Sequence, residues 1–432
     1  MATTRIWDKD NEHVLAFKRS VAGNQSCLPL VKYMLSSLIG LATYPKKINM
    51  KNKILCGDSL EVLKDFEDNY FDSVVTDPPY GLAFMGKKWD YDVPQVELWK
   101  EVYRVLKPGG HILSFAGSRT YHRMAVNIED AGFEIRDMLG WLYGSGFPKS
   151  HNIGKAVDKL QGNKREHLGK KIKKAGDITG GNFKKGGNYK DKEINITKGN
   201  TEWEGWGTAL KPAHEPIVMA RKPFNTTVAE NVLAHGTGGI NIDECRVGTD
   251  GGTKRSHQSE YPKKENGKED RSKHWARTGH KINELNQGRF PANIIHDGSE
   301  EVLEVFEESS RFFYCAKASK AERNMGLDDY EEKQVTDGTI RSNQETARTF
   351  GANSAKRKNY HPTVKPIKLM EYLVRLVTPK EGIVLEPFAG SGTTLIACKQ
   401  QGFNYIGIER EQEYCDIAEA RLKGVKIQGT LF

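Results

Sequence analysis

The chain has 432 residues, enough for two or three domains, and with 37% hydrophobic and 28% charged residues it reads as soluble and globular, neither membrane-embedded nor disordered. Its 65 Lys and Arg against 56 Asp and Glu leave a formal charge of +9, an excess that points to a polyanionic partner. Six cysteines (Cys27, Cys56, Cys245, Cys315, Cys398, Cys415) are scattered with no CxxC and no zinc spacing, which argues against a disulfide scaffold and a metal site and for a reducing, cytoplasmic setting.

Residues 1–47 form an N-terminal extension. Its most apolar stretch, Leu28–Tyr44, contains Lys32 and falls short of the ~20 apolar residues of a membrane span. Lys53–Cys56 reads as a strand, Ser59–Phe66 as a short helix and Phe71–Thr76 as a buried strand. Pro94 opens a helix with Val96, Trp99, Val102, Tyr103 and Leu106 at 3/4 spacing, stopped by Lys107-Pro108-Gly109-Gly110. His111–Ala116 is the next strand, Ser118–Ala131 a helix and Phe133–Tyr143 a strand. Arg119, Tyr121, His122 and Arg123 read as a solvated first turn, and Ser145-Gly146-Phe147-Pro148-Lys149 as a loop at a strand end. This β-α-β-α rhythm predicts a mostly parallel twisted sheet with helices on both faces.

The rhythm breaks at Gly144. Residues 151–203, rich in Lys, Gly and Asn, read as a mobile insertion, and His151–Asn200 alone holds 13 Lys+Arg against 5 Asp+Glu, a local +8. Trp203 and Trp206 read as core residues. Residues 204–222 return to the α/β pattern through a strand at Ile217–Ala220. From 223 to 357 only small apolar clusters occur (Phe290–Ile295, Phe312–Cys315), with an acidic run at Asp297–Glu308, and no topology is assigned. Regular pattern resumes with a helix from Pro366 to Val377, a strand Gly382–Glu386, a helix Thr393–Gln401, a strand Asn404–Glu409 and a helix Gln412–Leu422. One α/β domain is thus split into blocks at 48–150 and 358–425.

Two clusters carry chemistry, each at the carboxyl end of a predicted strand, where open α/β sheets bind ligands. The first is Asp77-Pro78-Pro79-Tyr80. An exocyclic base amine is a poor nucleophile because its lone pair is delocalised into the ring. A carboxylate and a proline carbonyl that accept both amine hydrogens pull the nitrogen toward sp³ geometry and aim its lone pair at an electrophile. The Tyr80 ring would stack on a base taken out of its duplex.

The second cluster is Glu386-Pro387-Phe388-Ala389-Gly390-Ser391-Gly392-Thr393-Thr394, a strand-to-helix turn. A Walker loop needs Lys after its last glycine, and a dinucleotide fingerprint needs a third glycine. A loop pressed against a nucleoside fits better, and Glu409, ending the next strand, stands where such folds bind ribose hydroxyls.

These motifs resemble those of the amino-group DNA methyltransferases that use S-adenosylmethionine, most of all the circularly permuted group in which the catalytic motif precedes the cofactor motif. The resemblance covers residues 52–146 and 360–422, with further similarity at 208–223 and 311–325. It implies a Rossmann-like class I methyltransferase fold, with Lys53–Cys56 and Phe71–Thr76 as third and fourth strands, Gly382–Glu386 and Asn404–Glu409 as first and second, and 223–357 as an inserted target-recognition region. Asp77, Pro78, Pro79 and Tyr80 match the catalytic motif and Phe388-Ala389-Gly390-Ser391-Gly392 the FxGxG loop. By that likeness Phe388 packs beside the cofactor adenine, Glu409 holds its ribose and Asp58 meets its adenine amine. Glu386, Pro387, Gly390, Ser391, Gly392 and Thr393 form the cofactor loop, and His361, Thr363 and Lys365 of His361-Pro362-Thr363-Val364-Lys365-Pro366 lie near its methionine end. The implied reaction is methylation of an exocyclic amine in double-stranded DNA, adenine N6 before cytosine N4. RNA base methylation, an inactive DNA-binding module and a nicotinamide oxidoreductase stand as alternatives. The family likeness also brings a homodimer and a cognate restriction endonuclease on another chain.

Overall fold

The computed structural model describes residues 50–82, 90–144, 146, 150–173, 192–248, 288–304, 312–335 and 355–425. The N-terminal extension with Leu28–Tyr44 lies outside them, as do Ser145, Phe147, Pro148 and Lys149, residues 174–191 of the basic insertion, and residues 249–287 and 336–354 of the target-recognition region.

In chain order the elements are β1 (Lys53–Cys56), α1 (Ser59–Leu63), β2 (Phe71–Thr76), α2 (Val96–Val105), β3 (Leu106–Phe115), α3 (Tyr121–Asp130), β4 (Glu134–Leu142), α4 (Ile153–Gln161), β5 (Glu166–Lys173), β6 (Lys192–Lys198), β7 (His214–Arg221), α5 (Val228–His235), β8 (Ile294–His296), α6 (Glu300–Leu303), β9 (Phe313–Tyr314), α7 (Lys320–Arg323), β10 (Lys333–Val335), β11 (Ala355–Arg357), α8 (Ile367–Val377), β12 (Ile383–Glu386), α9 (Thr393–Gln401), β13 (Asn404–Glu409) and α10 (Gln412–Lys423). Nine of the strands make one sheet in the order β1-β13-β12-β2-β3-β7-β4-β8-β9. The first five run parallel, β7 is antiparallel to both its neighbours, and β8 and β9 run parallel to β4.

The sheet's centre is built from both blocks of the chain. β12 pairs with β2 (Leu385 opposite Val74) and with β13 (Glu386 opposite Gly407), and β13 pairs with β1 (Glu409 opposite Cys56). All six residues of β2 are buried, as a strand covered on both faces requires, and Ile383–Glu386 of β12 is equally buried and apolar except for its last residue. Helices α8 and α9 bury Leu369, Leu373, Leu395 and Ile396 in one core with Val75, Leu113, Ile217 and Val384 of the sheet. Trp99, Met124 and Ile128 of α2 and α3 are buried as well. β1, β13, β12 and β2 lie side by side in that order and all parallel, and the fold is the Rossmann-like class I methyltransferase fold.

Three expectations change. Lys107–Gly110 ends α2 as foreseen but joins the sheet: β3 starts at Leu106, the register jumps from Phe71–Leu106 to Ser73–His111, and Gly109 takes a left-handed φ of 79°. The basic insertion, expected to be mobile, holds α4 and the antiparallel β5–β6 ribbon in its described part. Polar ties replace the missing apolar residues, because the Arg165 guanidinium donates to Asp158, to Glu204 at 2.8 Å and to the Thr197 carbonyl at 3.1 Å. Trp203 and Trp206 do not enter the core: they pack edge to face at 5.1 Å with Trp206 58% exposed. Within 223–357, where the sequence assigns no topology, β8 and β9 extend the nine-stranded sheet beyond β4. Arg119, His122 and Arg123 are exposed, as a solvated first turn should be. Among the described residues no helix is long and apolar enough to cross a membrane.

Candidate active site

β2 and β12 are neighbours, so Asp77 and the glycine loop leave the sheet side by side at its carboxyl edge. The Asp77–Tyr80 turn is pinned by the buried carboxylate of Asp90, which accepts from the Tyr80 N–H at 2.7 Å and the Gly81 N–H at 3.0 Å. The Tyr80 hydroxyl donates to Asp77 Oδ1 at 2.7 Å. Lys365 reaches the same oxygen, with its Nζ 2.8 Å from Asp77 Oδ1, 3.0 Å from the Tyr80 hydroxyl and 3.1 Å from Glu215 Oε2. Burial works against that ammonium, but Asp77 and Glu215 outweigh it and raise its pKa above the ordinary lysine value. Burial, then the charges of Asp77 and Glu215, push the Tyr80 phenol well above its usual range, so it stays protonated.

The glycine loop is held by buried polar side chains at both ends. At its head, Glu386 accepts from Thr76 Oγ1, from Thr394 Oγ1 at 2.6 Å and from the Phe388 N–H at 3.0 Å, which cross-links β12 to β2 and α9. Burial pushes its carboxyl up to about 8 against the pull of those three donors. At its tail, the fully buried Arg421 of α10 donates to the Ser391 carbonyl, to Ser391 Oγ at 3.0 Å and to Thr393 Oγ1 at 3.2 Å. Gly392 caps α9 with φ 79°.

Between these anchors Gly390, at φ 50°, lies so close to His361 that a Cβ would stand 2.8 Å from Nε2. His361 Nδ1 faces the Thr363 carbonyl, which only accepts, so Nδ1 carries the proton and Nε2 the lone pair. Burial lowers the His361 pKa to about 4, so the ring is neutral near pH 7. Glu409 accepts from the Gly390 N–H at 2.8 Å and the Glu411 N–H at 2.9 Å, and burial raises its pKa. Asp58 is exposed and caps α1 by accepting from the Leu60 N–H at 3.0 Å, while Ser59 donates to the Pro387 carbonyl and ties that turn to the loop.

An open cavity gathers Asp77, His361, Thr363, Lys365, Glu386, Phe388, Gly390, Ser391 and Thr393, and adds Met370, Ala389 and Thr394. Tyr80 and Glu409 are linked to it through Asp77 and Gly390. Pro78, Pro79, Pro387 and Gly392 are close to lining residues in the chain without lining the cavity, and Asp58 does not line it either. Glu215, Asp90 and Arg421 were not foreseen. Glu215 had one local signal, an acid at the head of the apolar strand Pro216–Ala220; Asp90 and Arg421 had none.

A carboxylate at one strand end and a tight glycine loop at the next open on one cavity, with an acid one strand further bound to that loop, and on this sheet they match the layout of a class I methyltransferase. The particular family follows from comparison: residues 71–420 match the model of the DNA methylase family, and the chain belongs to that family. The Type II methyltransferase M.HindIII of Haemophilus influenzae is 26% identical over 335 residues, 76% of this chain and 68% of that protein. M.HinfI, also of Haemophilus influenzae, is 46% identical over 69 residues, a local match to 16% of this chain and 19% of that one. The solved M1.HpyAVI–SAM complex covers 86% of this chain and 98% of its own at 18% identity and TM-score 0.38.

The protein is an amino-methyltransferase acting on DNA, and its cofactor is S-adenosylmethionine. The cavity suits that group: Gly390, lacking a Cβ, lets the loop close against the neutral His361, and both residues line the cavity.

Proposed function

We propose that the protein is a site-specific DNA methyltransferase that modifies adenine N6, and that its chain is a circular permutant with the cofactor half last. Asp77, Pro78, Pro79 and Tyr80 are the substrate-handling residues. Phe388, Gly390, Ser391, Gly392, Thr393 and Glu409 hold the cofactor, with Asp58 at its adenine, His361 and Thr363 toward its methionine end, and Glu386 and Pro387 shaping the loop. Lys365, placed by resemblance with the cofactor, is engaged instead with the catalytic carboxylate while still lining the cavity.

One observation carries the reading. Asp77 Oδ1 is taken by Lys365 and Tyr80, while Oδ2 has no partner among the described residues, in the same cavity as the glycine loop. A flipped base would set its amine against Oδ2 and the Pro78 carbonyl, with the Tyr80 ring stacked on it. The cofactor supplies an electrophilic sulfonium methyl. Asp77 and Pro78 draw the amine toward sp³ geometry, and the methylated nitrogen, transiently an acidic ammonium, gives up its proton without a dedicated strong base. Adenine is favoured because, in the family this chain resembles, cytosine enzymes more often begin the catalytic motif with Ser. The reading places the enzyme in the cytoplasm as a homodimer, paired with a restriction endonuclease encoded elsewhere, with recognition supplied by 223–357.

Expression in a methylation-free host, followed by sequencing of that DNA for modified bases, tests it. N6-methyladenine at one recurring word is expected, and none with Asp77→Ala, which should still bind the cofactor. N4-methylcytosine would move the base, modified RNA the substrate, and no modified base at all would leave a DNA-binding module.

A further inference from the structure

The ammonium of Lys365 has three hydrogens and three acceptors: Asp77 Oδ1 at 2.8 Å, the Tyr80 hydroxyl at 3.0 Å and Glu215 Oε2 at 3.1 Å. Its side chain is only 9% exposed and lies over the Phe115 ring at 4.6 Å, so few of its hydrogens face solvent. The consequence concerns Asp77. A buried lysine paired with that carboxylate alone would concentrate its charge on the group that must accept the substrate amine, and charge-assisted bonds in a dry site are the strong ones. Glu215 divides that pull. It is held for the purpose: it sits in β7 opposite Trp141, its backbone is kept extended by Pro216, and its carboxylate is also a hydrogen-bond partner of the buried Tyr143.

We propose that Glu215 is a positioning residue for methyl transfer, holding the Lys365 ammonium between two carboxylates so that Asp77 keeps one oxygen free and strongly accepting toward the substrate amine. Stability alone does not account for the arrangement, since buried ion pairs are on balance weak stabilisers. The proposal rests on the reading of Asp77 as the amine acceptor.

The test is a double-mutant cycle of Glu215→Gln and Lys365→Met, read by single-turnover methylation of unmethylated genomic DNA with tritiated cofactor. Because Glu215 acts through Lys365, Glu215→Gln should slow transfer about 10- to 100-fold in the native background and have little further effect once Lys365 is Met. Its affinity for S-adenosylhomocysteine should stay within about twofold of native. Additive losses, a native rate for Glu215→Gln, or lost S-adenosylhomocysteine binding would each overturn the proposal, the last by showing that Glu215 supports the cavity itself. A second readout needs no turnover: with lysine labelled at Cε, the NMR titration midpoint of Lys365 should fall in Glu215→Gln. An unchanged midpoint overturns the clamp. A lowered midpoint in a protein that methylates no DNA supports the clamp and overturns only the assigned reaction.

Discussion

Gly390→Ala probes the cofactor cradle with a single methyl group. The residue sits at φ 50°, where an L side chain costs about 1–2 kcal/mol. The new Cβ would also stand 2.8 Å from His361 Nε2 and 2.9 Å from Cε1. The imidazole has little room to yield, being tied through Nδ1 to the Thr363 carbonyl and set edge-on against the Tyr414 ring at 4.6 Å. Pushing it aside adds the ~1–3 kcal/mol typical of an overfilled site. The sum is about 2–5 kcal/mol, part of it read as weaker cofactor binding because both residues line the cavity. Gly402→Ala isolates the conformational share: φ is 76°, nothing lies within 4 Å of the added Cβ, and the position closes α9 away from the cavity. Urea unfolding should show Gly390→Ala losing ~1–3 kcal/mol more than Gly402→Ala. Calorimetry with S-adenosylhomocysteine should show at least about tenfold weaker binding, ~1.4 kcal/mol, for Gly390→Ala alone. Equal effects of the two substitutions on stability and on binding would refute the cradle.

Three further outcomes are expected. Lys155, Lys159, Lys164 and Lys171 are exposed, whereas Arg165 and Lys170 are spent on Asp158, Glu204 and Glu193. Replacing the four by Gln should reduce the slope of log K for DNA against log salt by up to about 3.6, or ~0.9 per lost phosphate contact; an unaltered slope would show that they do not face the duplex. Burial, then the charges of Arg221 and Arg136, lower the His111 pKa from 6.5 to about 4. The unfolded chain therefore takes up that proton first, and about 3 kcal/mol of stability present above pH 6.5 is lost as the pH falls toward 4. His111→Leu should flatten that part of the curve, leaving the share of His361. Lys222 donates to Asn69 Oδ1 at 2.9 Å and to the Tyr103 and Leu106 carbonyls at 2.7 Å each. Lys222→Met leaves those acceptors unpaired and should cost about 2–4 kcal/mol in urea unfolding with the methylation rate unchanged; a native-like unfolding curve would contradict the bonds.

Legibility followed the range of the interactions. Thr393–Gln401 and Asn404–Glu409 have in the structure the limits read from the chain, because glycines bracket the helix and an apolar run fills the strand. The insertion misled because composition registers missing apolar side chains and not the salt bridges of Arg165, which span residues 158 to 204. The tryptophans misled for a related reason: an aromatic ring announces that it will find a partner, and here the partner is the other tryptophan at the surface.

The sequence by itself determined the two chemical turns, Asp77–Tyr80 and Glu386–Thr394, since each needs particular residue types within a few positions of a strand end. It also determined which strands flank them, because buried parallel strands are written as local apolar runs. Only the tertiary structure decided what surrounds Asp77. Lys365 and Glu215 reach it from elements far along the chain, and Arg421 reaches the glycine loop from the last helix. Such contacts have no periodicity to be read: neither the motif around Lys365 nor the glutamate at a strand head shows that the sheet brings the two within 3.1 Å of one another.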